Sequence, residues 1–442
     1  MKSPTVRVIG AGLAGSEAAW QLAQNGVSVK LYEMRGKKST PAHETTLAAE
    51  LVCSNSFRAE GLSSAAGLLK EEMRLLKSLI LEAADATAVL AGAALAVDRH
   101  RFSQYIDDRL SEHPCIQRIQ EEVTHLDGDE LTIVATGPLT SLALHEAIQA
   151  RTEEDTLYFY DAAAPILMAE SIDMEHAYWK SRYDKGEATD YLNCPMDKRT
   201  YDAFYTALMK ADWVPTRDFE EERFFEGCMP IEVMAQRGYD TLRHGPFKPV
   251  GLERGEGFER PYAVLQLRRE DKYGLMLNMV GCQTRMTWPA QREVFSLIPA
   301  LAQAEFARYG VMHRNTFMNS PKLLDVFGRL KTSPHLLFAG QMTGVEGYLE
   351  SAASGLVAGL HAARLSHGLD PFTLPETTAI GSLLSYVTQS QGSNFQPMHV
   401  TFGLLPPLAE KIRSKKERNE KISKRALKDL QDWVQNYVKG SF

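Results

Sequence analysis

Residues 6–33, VRVIGAGLAGSEAAWQLAQNGVSVKLYE, decide the fold of the chain. A short apolar run comes first. Gly10, Gly12 and Gly15 then form a G-x-G-x-x-G pattern, and alanines and leucines continue at helical spacing. A second run alternates apolar and polar residues and closes on Glu33. The order strand, glycine turn, helix, strand, acid is typical of a βαβ unit, and it predicts an α/β chain with a parallel sheet.

The glycine turn predicts a dinucleotide site. Gly10 allows the tight turn, Gly12 lets the backbone approach a pyrophosphate, and Gly15 lets the helix pack on the strand. The helix start supplies N–H groups and a positive dipole end for the phosphates, and Glu33 can accept from ribose hydroxyls. A plain crossover with a glycine turn and no ligand is the alternative. The predicted cofactor-binding residues of this turn are Gly10, Ala11, Gly12, Leu13, Ala14, Gly15 and Glu33.

Composition excludes several classes of protein. A chain of 442 residues is too long for one ordinary core, so two or three domains are expected. A hydrophobic content of 44% and a charged content of 24% are those of a soluble globular enzyme, and no apolar run approaches the ~18 residues of a membrane span. The start of the chain leaves no room for a signal peptide. Five cysteines without a C-x-x-C pattern suggest neither a disulfide framework nor a zinc site, which favours the cytoplasm.

A change of composition along the chain predicts that one domain is inserted into another. We expect a Rossmann-type FAD-binding domain over residues 1–155 and 306–442, interrupted by an α+β substrate domain over residues 156–305 that lacks any nucleotide fingerprint. In the first part, one helix is predicted over Gly67–Ala84. Another is predicted over Asp98–Leu110, with Asp98 as its N-cap.

Two later stretches return to the predicted cofactor. The strand that ends at Thr136 and Gly137 is a usual place for a flavoprotein chain to pass the dinucleotide again. A second strand ends on Gly340 and Gln341, and the helix after Tyr348 is rich in small residues that would let it lie close to sheet or cofactor. Its N-terminus would direct positive charge at a flavin, although a close-packed helix without a ligand gives the same pattern. Without a second G-x-G-x-x-G, FAD is favoured over a permanently bound nicotinamide nucleotide.

Two cysteines and one polar run are candidates for chemistry. Cys228 lies in a turn between Gly227 and Pro230, and Cys53 lies among serines and an asparagine; each is either a reactive thiol or a packed small side chain. Cys115, Cys194 and Cys282 sit in ordinary contexts and are interpreted as structural. The adjacent His313, Arg314 and Asn315 could stack on and hydrogen-bond a planar heterocycle, or form an ordinary polar loop.

The C-terminal segment is basic. Residues 409–439 hold ten Lys or Arg against five Asp or Glu, in a chain whose net charge is −7. Local contact with phosphates and a solvated amphipathic helix are both compatible with this charge. The candidate RNA-binding residues are Lys411, Arg413, Lys415, Lys416 and Arg418.

Five motifs in this order resemble one family across essentially the whole chain. The family is that of the folate/FAD-dependent tRNA uracil-54 C5-methyltransferases (TrmFO). Position 341 is glutamine, as in the family, whereas Gly227 stands where the family often has alanine. The motifs are GAGLAGSEAA at 10–19, LVCSNS at 51–56, EGCMP at 226–230, GVMHRNT at 310–316, and AGQ with GVEGYLES at 339–351.

The resemblance implies transfer of a methyl group to the T-loop uridine at tRNA position 54. Methylenetetrahydrofolate would supply the carbon, reduced FAD the electrons, and NADPH or NADH would re-reduce the flavin. It further implies that Cys228 is the nucleophile at uracil C6, that Cys53 is its partner or the base for the C5 proton, and that His313 stacks on the pterin with help from Arg314 and Asn315. A ribosomal RNA methyltransferase of the same family, a small-molecule flavin oxidoreductase and a non-catalytic RNA-binding flavoprotein are the alternatives.

Overall fold

The computed structural model describes residues 4–40, 42–152, 157–162, 164–184, 187, 189–214, 229–255, 257–271, 273–310, 312–390 and 395–439, and for 157–162, 313–316 and 437–439 it describes the backbone alone. The strands are β1 (Thr5–Ile9), β2 (Ser28–Glu33), β3 (Ser56–Ala59), β4 (Ala88–Val89), β5 (Ala94–Val97), β6 (Ile116–Gln120), β7 (Thr132–Val134), β8 (Leu157–Ala162), β9 (Ile166–Met168), β10 (Tyr178–Trp179), β11 (Tyr191–Met196), β12 (Ala263–Arg269), β13 (Met276–Met279), β14 (Phe306–Arg308), β15 (Met312–Phe317), β16 (Arg329–Leu330) and β17 (Ser333–Phe338).

The helices follow the same order along the chain. They are α1 (Leu13–Gln24), α2 (Ala65–Leu75), α3 (Leu79–Ala86), α4 (Arg99–Glu112), α5 (Leu142–Thr152), α6 (Lys198–Lys210), α7 (Ile231–Gln236), α8 (Thr241–His244), α9 (Trp288–Phe295), α10 (Ser320–Leu323), α11 (Tyr348–Ser366), α12 (Ala379–Gln389) and α13 (Lys415–Lys439).

The first sheet confirms the predicted parallel architecture. Its six strands run in the order β16–β17–β7–β1–β2–β6, and β17, β7, β1, β2 and β6 are parallel to one another. The neighbours of β1 are β2 and β7, and β17, from the later part of the chain, lies beyond β7. The carboxyl ends of β1, β2 and β7 therefore meet at one edge, where a doubly wound sheet binds its ligand.

A second six-stranded sheet takes all of its strands from residues 166–308. Its order is β10–β11–β12–β13–β9–β14, it is antiparallel, and it has its own apolar core. A separate ribbon pairs β8 with β15, the strands on either side of this unit. The α/β fold with an insertion is thus confirmed, whereas the boundaries at residues 155 and 305 remain predictions.

Helices α1 and α11 pack together at glycine. A Cβ added at Gly355 would lie 2.1 Å from the carbonyl oxygen of Ala14, and one at Gly359 would lie 2.7 Å from that of Ala18. The small residues of α11 therefore let it pack closely against α1. The sequence predicts close packing of this helix but does not identify α1 as its neighbour.

The single helix predicted over Gly67–Ala84 is wrong, because the chain forms two helices there. The helix α2 ends at Leu75, Lys77 has φ +57°, and Ser78 caps α3 by accepting from Leu81 N–H. The buried carboxylate of Glu17 accepts from the N–H groups of Leu79 (3.3 Å) and Ile80 (3.0 Å) at the start of α3. Because the acceptor Glu17 comes from another helix, the spacing of apolar residues within 67–84 could not predict this break. The helix predicted to begin after Asp98 is confirmed as α4, with Asp98 accepting from Arg101 N–H at 3.1 Å.

No helix in the described parts of the chain is long and apolar enough to cross a bilayer.

Candidate functional site

The glycine turn leaves open space where a phosphate could approach. Gly10 has φ +98°, and a Cβ at Gly15 would lie only 1.8 Å from the Gly10 carbonyl oxygen, so these two glycines are required by the fold itself. A Cβ at Gly12 would meet nothing within 4 Å. Gly12 is also the N-cap of α1 and offers no side-chain acceptor to the helix start. The start of α1 therefore has no side-chain cap and has open space beside Gly12, as an anion site needs.

A cleft opens at the carboxyl ends of β1, β2 and β7. It brings together four predicted residues, Gly10, Gly12, Glu33 and Thr136, which come from three separate strand ends. The buried Ala11, Leu13 and Ala14 form the adjoining floor at the start of α1. The remaining polar lining includes Arg35, Thr40, His43, Glu121, Glu122, Thr140 and Ser141.

Glu33 is held in place by the chain itself. Its Oε2 accepts from the N–H of Ala11 at 2.9 Å, and Oε1 accepts from the N–H of Arg35 at 3.0 Å. Burial opposes ionisation of Glu33, but hydrogen bonding and charge from Arg35 outweigh it, so the pKa of Glu33 is lowered. The Arg35 guanidinium also donates to Glu33 Oε2, at 3.1 Å. A carboxylate can accept about four hydrogen bonds, so one acceptor position of Glu33 remains for a ribose hydroxyl. The ribose role of Glu33 stays a prediction.

The turn after β7 presents Thr136 and Gly137 beside the cleft. Thr136 Oγ1 lies 2.6 Å from Thr140 Oγ1 and contacts the sulfur of Met342. Gly137 has φ +66° and begins a short 3₁₀ turn over Gly137–Leu139. The contact with Met342 joins this turn to the segment that follows β17.

The segment after β17 lies against the start of α1. A Cβ at Gly340 would lie 3.0 Å from Cβ of Ala14, and the N–H of Gly340 donates to Ser354 Oγ at 2.6 Å. Gln341 Nε2 donates to Glu346 Oε2 at 2.9 Å. The structure therefore brings Gly340 and Gln341 to the same end of the sheet as the glycine turn.

Cys53 and Tyr348, which are 295 residues apart, are in direct contact. Cys53 Sγ lies 2.9 Å from the Tyr348 hydroxyl, and Tyr348 is the first residue of α11. The same oxygen accepts from the N–H groups of Cys53 at 2.8 Å and Ser54 at 3.2 Å. Burial raises the pKa of Tyr348 well above 10, with the charge of Cys53 acting in the same direction.

In the contact between Tyr348 and Cys53, either the phenol or the thiol can be the donor. Two backbone N–H groups already donate to the phenol oxygen, which leaves its own proton available to the sulfur. A hydroxyl that donates to the sulfur would stabilise a thiolate more than a thiol.

The Cys53 loop is also fastened to the second sheet by residues that sequence reasoning missed. The Asn55 amide donates to the carbonyl oxygens of Val97 at 2.9 Å and Arg269 at 3.0 Å, and its Oδ1 accepts from Arg268 at 2.7 Å. Arg99 donates to the carbonyl of Leu51 and, at 2.6 Å, to Glu270. Of the site residues that the sequence analysis missed, only Arg35 lies close in sequence to a predicted one. It follows Glu33 by two residues and lines the same cleft.

Several predicted residues fall where the structure gives no side chain. Cys228 lies outside the described residues, and for His313, Arg314 and Asn315 the structure gives only the backbone of β15. Three residues beyond Cys228, Ile231 N–H donates to the carbonyl of Gln283 at 2.7 Å, which anchors this part of the chain in the inserted unit. Cys194 and Cys282 are buried in its core, and burial raises the pKa of both thiols.

The five candidate RNA-binding residues of the C-terminal segment are all exposed. Asn419 and Ser423 fasten α13 to the carbonyls of Ser63 (3.0 Å) and Leu62 (2.7 Å). The helix is thus fixed through Asn419 and Ser423 while Lys415, Lys416 and Arg418 stay exposed, which fits both interpretations of the C-terminal segment.

Comparison with known proteins identifies the family. The profile of the family described as "Glucose inhibited division protein A" matches residues 5–370. A protein of Heliobacterium modesticaldum is 58% identical over 430 residues, covering 97% of this chain and 98% of the relative. A protein of Listeria innocua is 59% identical over 423 residues, covering 96% and 97%. Both are named "Methylenetetrahydrofolate--tRNA-(uracil-5-)-methyltransferase TrmFO".

Solved structures support the fold alone. Aquifex aeolicus GidA superposes with TM-scores of 0.69 and 0.68 in two crystal forms, at 17% identity. The alignments cover 99% of this chain and 79% and 76% of the GidA chain. With its fold shared with GidA and its sequence close to the TrmFO proteins over nearly their whole length, the chain belongs to the Glucose inhibited division protein A family and, within it, to the TrmFO group.

Proposed function

We propose that this protein transfers a methyl group from methylenetetrahydrofolate to C5 of a tRNA uracil, at the T-loop uridine of position 54. The observation that carries the proposal is the contact of Cys53 with Tyr348 beside a dinucleotide site. A folate-dependent methyl transfer needs a base for the C5 proton, and in this proposal Cys53, with Tyr348 in contact with its sulfur, is that base. The names of relatives that are 57–59% identical over nearly the full length agree with this chemistry.

The residues of the glycine turn fit FAD. Open space at Gly12 and the uncapped start of α1 suit its pyrophosphate, while the remaining acceptor position of Glu33 suits its ribose. Gly340, Gln341 and the start of α11 would lie along the flavin half. When bound and reduced, FAD would supply the electrons that convert the methylene group to methyl.

The two candidate thiols, Cys228 and Cys53, have different roles in the proposed reaction. In the proposal, the Cys228 thiolate adds to uracil C6, which makes C5 nucleophilic enough to attack the methylene carbon. Cys53 takes the proton that leaves C5, and the Cys228–C6 bond breaks as the product forms. His313, Arg314 and Asn315 would hold the folate ring, and the basic residues before and within α13 would meet tRNA phosphates.

The reductant and the compartment are parts of the same proposal. NADPH or NADH would restore the reduced flavin without a resident site of its own. The cytoplasm holds both the tRNA and the reducing conditions that keep two catalytic thiols free.

The test is to incubate the pure yellow protein with unmodified tRNA, methylenetetrahydrofolate and either NADPH or NADH, and to quantify 5-methyluridine in the digested RNA. A tRNA transcript lacking U54 and a ribosomal RNA transcript serve as matched substrates. Product confined to the U54 transcript supports the proposal. Product on ribosomal RNA alone would reassign the substrate, and none on any RNA would refute the methyltransferase assignment.

Two variants separate the thiols. With tRNA carrying 5-fluorouridine at position 54, the wild-type protein should form a covalent adduct, because fluorine cannot leave C5 as a proton does. Cys228→Ala should abolish the adduct while flavin content is kept, whereas Cys53→Ala should keep the adduct and lose turnover. An adduct that maps to Cys53 would reverse the two roles, and methylation by Cys228→Ala at the wild-type rate would remove Cys228 from the mechanism.

A further inference from the structure

Three aromatic rings form a parallel stack on the inserted unit. Trp288 and Tyr309 lie with ring centroids 5.2 Å apart and planes 11° apart, and Tyr309 and Phe306 with centroids 4.7 Å apart and planes 10° apart. The neighbouring Phe295 and Phe306 are tilted by 42°, as core aromatics usually are. The parallel alignment extends outward from the core towards Trp288.

The outer end of the stack is open to solvent. Trp288 is 59% exposed although it is a large apolar side chain fixed at the first position of α9, between Thr287 and Pro289. Phe258 in the same unit is 55% exposed, but the Arg254 guanidinium covers its ring at 4.4 Å. Trp288 therefore presents a broad exposed aromatic face, and among the described residues its stacking partner is Tyr309.

An exposed cation flanks the stack. Arg292, one turn further along α9, donates through Nη2 to the Tyr309 hydroxyl at 2.5 Å. This bond fixes the orientation of the middle ring and brings a positive charge beside the aromatic surface. An aromatic face next to a guanidinium suits a ligand with a flat ring and an adjoining anion.

Hydrogen bonds join α9 and the residues just before it to residues 212 and 214 on one side and to Gly310 on the other. Thr287 N–H donates to Asp212 O at 2.9 Å, and Val214 N–H donates to Arg285 O at 2.8 Å. These two bonds hold residues 212 and 214 against the segment just before α9. On the other side, the Gln291 side chain exchanges two hydrogen bonds with the Gly310 backbone, at 2.8 and 2.9 Å, just before β15.

We propose that Trp288 is a stacking platform for an unpaired nucleobase of the substrate RNA, one that flanks the target uridine, with Arg292 meeting a neighbouring phosphate. The proposal rests on the proposed function. A uridine that reaches a thiol must leave its stack, and its neighbours then expose their own faces. A platform for one neighbour would hold the loop open whatever that base is, since every base has a π face.

The experiment compares wild type, Trp288→Ala, Trp288→Phe and, as a matched control, Phe258→Ala. For each protein we would measure the flavin content, the melting temperature, the Kd for unmodified tRNA and the KM for methylenetetrahydrofolate. Trp288→Ala should raise the Kd about 5- to 150-fold, the range for loss of one stacked base. Trp288→Phe should recover most of the affinity, and Phe258→Ala should bind as wild type does.

Fluorescence gives a second readout. Binding of tRNA should quench the emission of wild type, and Trp288→Phe should lose that quench while it still binds. If wild type methylates tRNA but Trp288→Ala binds it as tightly as wild type, the platform is refuted and the proposed function stands. A raised folate KM with unchanged RNA affinity would refute it too, by assigning the stack to folate. If wild type neither binds nor methylates tRNA, both proposals fail.

Discussion

The Tyr348 hydroxyl serves three partners at once, two backbone N–H groups and the sulfur of Cys53. Tyr348→Phe should leave both N–H groups without their acceptor, at a cost of about 1–3 kcal/mol in unfolding free energy. It should also remove the donor that stabilises the Cys53 thiolate. The expected kinetic result is slower methylation with a pH optimum moved upward, measured as the pH dependence of single-turnover rates.

Tyr105→Phe is the matched control for Tyr348→Phe. It removes a hydroxyl that donates to Glu82 at 2.6 Å on the exposed side of α4. Its pH profile should match that of wild type. A profile for Tyr348→Phe that also matches would mean that the hydroxyl only holds the loop and does not tune the thiol.

Gly12 and Gly15 allow a sharp test of the cofactor site. A methyl at Gly12 enters open space, so Gly12→Ala should fold and melt as the flavin-free wild type does, yet crowd the pyrophosphate and lower the flavin content at least severalfold. A methyl at Gly15 collides with Gly10, so Gly15→Ala should lose stability itself. Flavin absorbance per polypeptide and melting temperature, measured together, distinguish these outcomes. Full flavin content in Gly12→Ala would place the pyrophosphate elsewhere.

The sequence predicted which residues line the site better than it predicted which distant residues contact one another. Glu33 and Gly10 line the cleft as the sequence predicted, because both positions follow from one local βαβ unit. The contact of Cys53 with Tyr348 depends on how α11 returns to the first sheet, and no local pattern encodes that return. Asn55 and Arg268 were missed for the same reason, since each acts across two structural units.

Among the elements, α2 and α12 are joined by a buried carboxyl. Glu72 on α2 accepts from the N–H groups of Ala379 at 2.7 Å and Ile380 at 2.9 Å, at the start of α12. Burial raises the pKa of Glu72 from 4.5 to about 8, although these two N–H groups act in the opposite direction. The folded chain therefore binds this proton more tightly than the unfolded chain does.

The sign of the pH dependence follows from that difference. The stabilisation from protonated Glu72 is fully present below pH 4.5 and is lost as the pH rises through about 8. Compared with Glu72→Gln, which cannot titrate, wild type should lose on the order of a few kcal/mol between pH 5 and pH 9. Urea unfolding of both proteins across this range measures the difference. Parallel curves would show that the helix N-terminus keeps Glu72 ionised throughout.

Element boundaries were predictable where the signal was local. The N-cap Asp98 gave the start of α4 correctly, whereas the break between α2 and α3 depends on Glu17 from another helix. The strand β13 ends at Met279, and Gly281, two residues later, adopts φ +73°.

At the scale of the whole molecule, the exposed basic tail gives a prediction about salt. If Lys411, Arg413, Lys415, Lys416 and Arg418 contact phosphates, each replacement by Ala should lower the log–log slope of tRNA affinity against salt by about 0.7–0.9. Lys198→Ala, on the inserted unit, is a control that removes another exposed charge. An unchanged slope in the tail variants would favour the solvated helix.

The insertion was predictable as a change of composition, but its sheet order was not. In the second sheet β9 lies between β13 and β14, which follow it by more than a hundred residues. Such pairing depends on distant segments that alternation within one strand does not encode. In the first sheet, nearly two hundred residues separate the paired strands β7 and β17.

The glycine contact between α1 and α11 has a consequence for synthesis on the ribosome. At roughly 5–20 residues per second, the partner of α1 emerges about 20–70 seconds after α1 itself. The strands of the second sheet all lie in the chain made during that interval, so this unit can complete its fold first. The N-terminal helix, with its apolar face uncovered, is then the part of the nascent chain most in need of a chaperone.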